Sequence, residues 1–326
     1  MVGEVSGSLL QKHSSLEFRS GRGRSGPTPN TMNRPLAVVK SKSSIDFGGG
    51  GQRFELAEIL NYLDPVEWEM FDFPNLVLET LDLDGQDLER VPAAVTEIEY
   101  YAFREVQAVS FNENARLREA AVLGKLDNLR AVNMWGCGLR QVPDTWRRLR
   151  KLCFLGLGNN PPLGGSGGLA AISAMTSLQW LDLGGCALTE VPPETHALTE
   201  LVVLALGGNP GIHVGPALSR FTKLRRLALN DCALGEVPPA VYTLERLRRL
   251  HVDNNALRSL AQNVLRLREL SQLTCTGNRE LVFPKMLNML ENIKEIVVDD
   301  DYQLAGMPIT LKSKLRFYSQ VTDEVA

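Results

Sequence analysis

The stretch whose spacing could carry covalent chemistry is Gly164-Gly165-Ser166-Gly167-Gly168, a G-x-S-x-G arrangement in which a serine hydroxyl would attack an acyl carbon. That chemistry needs the serine strained between an entering strand and a leaving helix. Here the motif follows Asn160-Pro161-Pro162 in a turn insertion, so hydrolysis at Ser166 is a minor alternative and no catalytic residue is assigned. The four histidines, His13, His196, His213 and His251, are far apart, which gives no metal-ligand spacing. The five cysteines, Cys137, Cys153, Cys186, Cys232 and Cys275, include no C-x-x-C pair. They read as reduced, buried thiols of a cytoplasmic protein. There is no Walker loop and no G-x-G-x-x-G, so no cofactor is expected.

What positions every one of these residues is a leucine lattice. Repeats of the form L-x-x-L-x-L-x-x-N/C-x-x-L begin at Leu78, Val106, Leu129, Leu152, Leu178, Leu201, Leu224, Leu247, Leu270 and Ile293. Seven of the nine spacings are 23 residues; the others are 28 and 26. A fixed period of this length marks a stack of leucine-rich repeats. L-x-L is a short strand with alternate residues pointing inward, and one repeat cannot bury its own leucines. Stacking does so, which predicts an α/β solenoid of about ten repeats. A parallel sheet would line the concave side, with short helices or turns behind it. Asparagine at the slot after the strand (Asn114, Asn160, Asn209, Asn255, Asn278) would bond turn backbone otherwise left unpaired. Cys137, Cys186 and Cys232 take the same slot, each followed by leucine two residues on and then Val-Pro, so two turn variants alternate.

The outward strand positions form columns across neighbouring repeats. One column reads Ala131, Phe154, Trp180, Val203, Arg226, Arg249. Phe154, Trp180 and Val203 are expected as an exposed apolar stripe, with Trp135 two columns over. Arg226 and Arg249 extend the row, and His251 and Asp253 share a strand with Arg249. The central columns are small, Gly156, Gly158, Gly184, Ala205 and Gly207, with Asp182 among them. That floor is expected to leave room for a partner's side chains. Aromatic residues and arginine are enriched at interface hot spots. The expected partner is therefore a protein on the concave face, held by Trp135, Phe154, Trp180, Val203, Arg226, Arg249, His251 and Asp253.

The stretches VPPETHALTELVVLALGGN and VPPAVYTLERLRRLHVDNN resemble the 23-residue, L-P-x-x-I/L-x-x-L class of leucine-rich repeats. Plant intracellular Ras-group repeat proteins and related animal scaffolds share this class. The resemblance covers roughly residues 78–310. It implies a non-enzymatic scaffold in an intracellular signalling pathway.

Outside the lattice, residues 1–52 are rich in Ser, Gly, Pro and Arg and carry seven Lys/Arg against three Asp/Glu. They are expected to be a disordered basic tail. Arg22 to Pro27 has the R-x-x-S-x-P form around Ser25, similar to sites of basophilic kinases and of adaptors that read phosphoserine. A phosphate there would add nearly two negative charges. Residues 53–77 are expected as a helical cap over the first repeat, and 317–326 as a C-terminal tail after repeats at 78–316. ITLKSKLRFYSQ after Pro308 would cap the other end. ELAEILNYLDPVEW, residues 55–68, also resembles the opening helices of an F-box, which implies the alternative of a ubiquitin-ligase substrate receptor. A net charge of −3 argues against a general nucleic-acid binder. No run of 18 apolar residues exists to span a membrane, and the start lacks a secretory pattern. No small-molecule substrate is expected.

Overall fold

The computed structural model describes residues 52–55, 77–91, 106–165, 167–301 and 309–319. The basic segment with Ser25, most of the expected helical cap, the F-box-like stretch and Ser166 lie outside them.

Among the described residues, twelve strands form one sheet in chain order: β1 Gln52–Glu55, β2 Val77–Asp82, β3 Val106–Ser110, β4 Ala131–Asn133, β5 Phe154–Gly156 and β6 Trp180–Asp182, then β7 Val203–Ala205, β8 Arg226–Ala228, β9 Arg249–His251, β10 Gln272–Thr274, β11 Glu295–Val298 and β12 Leu315–Phe317. From β2 onward every neighbouring pair is parallel and, from β3 to β11, equivalent lattice positions face each other without slippage, as in Phe154 opposite Trp180 and Trp180 opposite Val203. This is a leucine-rich-repeat solenoid. β1 pairs antiparallel with β2, so Arg53–Glu55 are strand where the sequence suggested the start of a helix. At the other end Ile309–Lys312 makes one helical turn, Leu311 is buried, and β12 adds a strand to β11. The last repeat is thus covered partly by further sheet.

The opposite side is built of short 3₁₀ turns, among them Ala121–Lys125, Asp144–Arg148, Ala170–Ala174, Pro193–Ala197, Pro216–Arg220 and Pro239–Thr243. The prolines of the Val-Pro-Pro and Gly-Pro steps open three of them, where the fixed φ suits a first turn and no amide donor is lost. Each turn sends a residue into the core: Leu123, Trp146, Ile172, Thr195, Leu218 and Val241. Trp146 is wholly buried and its Nε1–H donates to the Ala120 carbonyl at 2.9 Å. From the repeat that begins at Leu129 onward, the residues at the leading, second and third leucine positions complete one continuous apolar core.

The asparagine ladder closes the polar accounts of this core. Asn160 Nδ2 donates to Met134 O and Leu157 O at 2.8 Å each, and its Oδ1 accepts the Leu139 amide at 3.0 Å. Asn209 does the same with Leu183 O, Leu206 O and the Leu188 amide. Each asparagine therefore ties its own turn to the preceding repeat. At the alternating slots the thiol makes one weaker bond: Cys137 to Phe111 O, Cys186 to Leu157 O and Cys232 to Leu206 O, at 3.0, 3.2 and 3.4 Å. A thiol has no amide oxygen to accept the turn amide. One amide in each of these cysteine turns is bonded by the asparagine of the next repeat: Leu139 to Asn160, Leu188 to Asn209 and Leu234 to Asn255.

The residue just before this slot is left-handed in repeat after repeat: Gly85, Glu113, Gly136, Asn159, Gly185, Gly208, Asp231, Asn254 and Gly277. The glycines, asparagines and aspartate there are the types that tolerate such backbone. Two of the cysteine variants demand a second left-handed residue immediately after the thiol, Ala187 and Ala233.

Asn160→Ala strips a donor pair and orphans the buried Leu139 amide, for an expected cost of roughly 2–4 kcal/mol. Cys186→Ala removes one weak donor, for about 1 kcal/mol. Urea unfolding midpoints should rank the two variants in that order; equal losses would contradict the ladder account.

Candidate functional site

The outward side of the sheet is more tightly packed than residue types alone suggest. Phe154 and Val203, expected as exposed, are buried at 6% and 2% exposure, and Trp180 is half-buried. Strands about 4.8 Å apart bring neighbouring side chains into contact. The Phe154 ring lies 4.9 Å from that of Trp180, centroid to centroid, at a 57° tilt. Ala131 on the other flank leaves the phenylalanine room to lie down. The stripe is therefore a packed ladder capped by Trp180, not an open patch.

The glycine floor is likewise occupied. A Cβ on Gly156 would stand 2.3 Å from Asn133 Oδ1, and one on Gly207 would stand 2.4 Å from Asn230 Oδ1. At Gly158 the same position lies 2.7 Å from Asp182 Oδ2 and 2.7 Å from Trp135 Cδ1. The glycines admit side chains of adjacent repeats, which fold over them; the expected space for a partner's side chains is largely filled from within.

His251 and Asp253, expected to meet a partner, are buried and meet each other through Thr274. The Thr274 hydroxyl donates to Asp253 Oδ2, so it accepts from His251 Nδ1–H at 2.9 Å. Thr276 adds its amide and hydroxyl to Asp253 Oδ1, both at 2.8 Å. Burial first, then the Arg226 and Arg249 charges, hold the His251 pKa well below its ordinary value, so the ring is neutral. Its Nε2 is left as a buried acceptor without a partner among the described residues. Arg226 and Arg249, half-buried and opposite each other in the register, make this end of the face basic.

The other end is organised by Asp84. Its Oδ1 accepts from the Ser110 hydroxyl at 2.7 Å and from the Asn112 amide at 2.6 Å. Asn112 Oδ1 in turn accepts the Trp135 amide at 2.8 Å, which fixes the backbone that carries that indole.

Between the two ends stands Asp182, the carboxylate in a column otherwise made small by Gly156, Ala205 and Ala228. It is half-buried, and its Oδ1 accepts the Gly184 amide at 2.8 Å. Burial pushes its carboxyl up to about 6, against the modest pull of that single amide. Trp180 lies on the same face two residues earlier in β6, and Trp135 reaches it over Gly158. The sequence signal was present, a lone acid in a Gly/Ala column flanked by two tryptophans, but the column alone does not reveal which indole folds toward it.

The thiols offer no nucleophile. All five cysteines are free and buried, and burial pushes Cys137 and Cys186 up to about 12 and Cys153 to about 11. No group of His, Cys, Asp or Glu able to hold a metal occurs among the described residues, and no described helix is long and apolar enough to cross a membrane.

The comparisons agree with the fold. The Leucine Rich Repeat family model matches residues 177–197, one repeat that includes β6. No curated protein matches the chain. Among solved structures, a leucine-rich-repeat protein of Leptospira interrogans superposes with a TM-score of 0.59 at 23% identity, over 72% of this chain and 58% of that one. Internalin C2 of Listeria monocytogenes gives 0.52 at 21% identity, over 60% of this chain and 82% of the internalin. The chain thus spans little more than half the length of the Leptospira protein, and the likeness is one of fold.

An ionised Asp182 opposes folding. Its carboxyl titrates near 6 in the folded chain and near 3.9 when unfolded, so folding takes up protons between these values. Stability should fall as pH rises through that window and stay lower above it. Asp182→Asn keeps the bond to Gly184 and removes the charge. At pH 7 it should be more stable than the native chain by about 1–3 kcal/mol, and at pH 4 nearly equal to it. Parallel melting curves at both pH values would refute this.

Proposed function

We propose that this chain is a non-enzymatic interaction scaffold that holds a partner protein against the concave, sheet-lined side of its solenoid. Stacked repeats produce an extended surface whose outward columns vary while the core repeats, which suits recognition better than catalysis. The observation that carries the reading is the centre of the face. There two half-buried tryptophans, Trp135 and Trp180, flank a carboxylate retained at a cost to stability. Groups kept against folding stability are concentrated at functional sites. Hot spots are enriched in tryptophan set among packed neighbours that exclude water, and the Phe154 ladder supplies such a setting.

The surface is also polarised. Its aromatic and acidic region spans β4 to β6, and its basic region lies at β8 and β9. A partner of complementary charge would be oriented by this gradient as well as held. The chemistry fits a cytoplasmic signalling role of the kind the repeat class implies, with the basic segment around Ser25 as a place for phosphate control. Phe154, Val203, His251 and Asp253 act in this reading from beneath, as the bed on which Trp180 and the two arginines rest.

A tagged full-length chain, used to capture proteins for mass spectrometry, should lose its specific partner on Trp180→Ala. It should keep that partner on Met289→Ser, which changes an exposed residue of a convex turn. Circular dichroism would verify the fold of both variants. Identical capture by native and Trp180→Ala proteins would place the interaction off this face.

A further inference from the structure

We propose that the middle of the sheet face is a subsite for one positively charged side chain, arginine or lysine, of the partner protein. Asp182 is its counter-charge, and the indoles of Trp135 and Trp180 are its walls. This inference rests on the reading of the face as a docking surface and names what that surface selects.

The other acids of the face are provided for within the fold. Asp84 takes donors from Ser110 and Asn112, Asp253 from Thr274 and Thr276, and Asp299 from the Gly277 amide, while Glu295 accepts from Gln272. Asp182 differs. Oδ1 has the Gly184 amide, no ion pair among the described residues involves Asp182, and its titration is set by burial and that amide alone. A half-buried carboxylate with one donor has capacity for a charge-assisted bond that the chain does not supply.

The walls select the sign and the shape. Oδ2 of Asp182 and the Cδ1 and Nε1 atoms of Trp135 lie 2.7, 2.7 and 3.0 Å from the place a Cβ on Gly158 would take, so carboxylate and indole close over that glycine as immediate neighbours, and a cation would meet both from the solvent side. Trp180 stands on the other side of Asp182 along β6. Indole faces attract cations, guanidinium groups above all, and do so more strongly where water is partly excluded. Gly184, Ala205 and Ala228 keep the approach low on the side facing β7 and β8. Arg226 and Arg249 lie two and three strands further on, so an arriving cation is favoured at β6 and disfavoured at β8 and β9. One register of the partner is thereby preferred.

The test uses the full chain and a seven-residue peptide of alternating glycine and arginine, with its glutamate counterpart as control, in titration calorimetry at pH 7.5. The arginine peptide should bind saturably and the glutamate peptide should not. Kd should weaken at least tenfold in Asp182→Asn and several-fold in Trp135→Ala, and stay native-like in Glu295→Gln. Binding by the native chain should also weaken as pH falls through about 6, as Asp182 protonates; a merely structural aspartate would not produce that. Absence of saturable binding, or an unchanged Kd in Asp182→Asn, overturns the proposal. So does binding that emerges only once Arg19, Arg22 and Arg24 are replaced by glutamine, because the subsite would then be filled by the chain's own basic segment. If Trp180→Ala loses its captured partner while Asp182→Asn binds the peptide like the native chain, the scaffold reading survives and this inference fails.

Discussion

Everything in this solenoid depends on satisfying the backbone of one buried turn, repeated along the chain. The strands are mostly three residues long, too short to be stable alone, and the turn after each one carries carbonyls and amides away from water. Asparagine answers with two donated bonds and one accepted bond that also reach into the preceding repeat. Cysteine supplies only a weak donor, while the asparagine of the next repeat accepts an amide from its turn as it does from the Asn255 turn. Neighbouring repeats are therefore coupled through polar atoms as well as through leucine packing, and the strand register that follows is free of slippage from β3 to β11.

That register determines what the functional face can be. Equivalent positions are stacked about one strand spacing apart, so a large side chain in one repeat must lie over its neighbours. Phe154 lies beside Trp180, Asn133 over Gly156, and Asn230 over Gly207. The glycines thus provide room for the side chains of neighbouring repeats, and the result is a well-packed surface with few projecting groups. On such a surface the half-buried pair of tryptophans and the poorly provided Asp182 stand apart from the saturated networks around Asp84 and Asp253.

The architecture was legible in the sequence because the leucine spacing is a direct record of burial. Strand positions, parallel order, the asparagine slot and its cysteine variant all follow from it. The left-handed position before the slot was also recorded, as glycine, asparagine or aspartate in eight of the nine places, with Glu113 as the exception. Side-chain exposure was not legible. A phenylalanine or valine at an outward strand position reads the same whether it faces solvent or is covered, and only the size of its neighbours decides. The same holds for His251, whose type and place suggested contact with a partner, whereas Thr274 and Asp253 draw it into the interior. Asp182 was visible as a residue but not as a site, because its significance lies in the bonds its neighbours fail to give it.

The central claim is that the aromatic and acidic centre of the sheet, between β4 and β6, is the working surface. Hydroxyl-radical footprinting with and without the captured partner tests it most directly, because indole oxidation reports side-chain access at Trp135 and Trp180 individually. The expected result is a marked loss of oxidation at both tryptophans on complex formation, with Met289 and Tyr318, exposed elsewhere on the molecule, unchanged. Undiminished oxidation of Trp135 and Trp180 together with protection of Met289 would contradict it and place the partner on the convex turns.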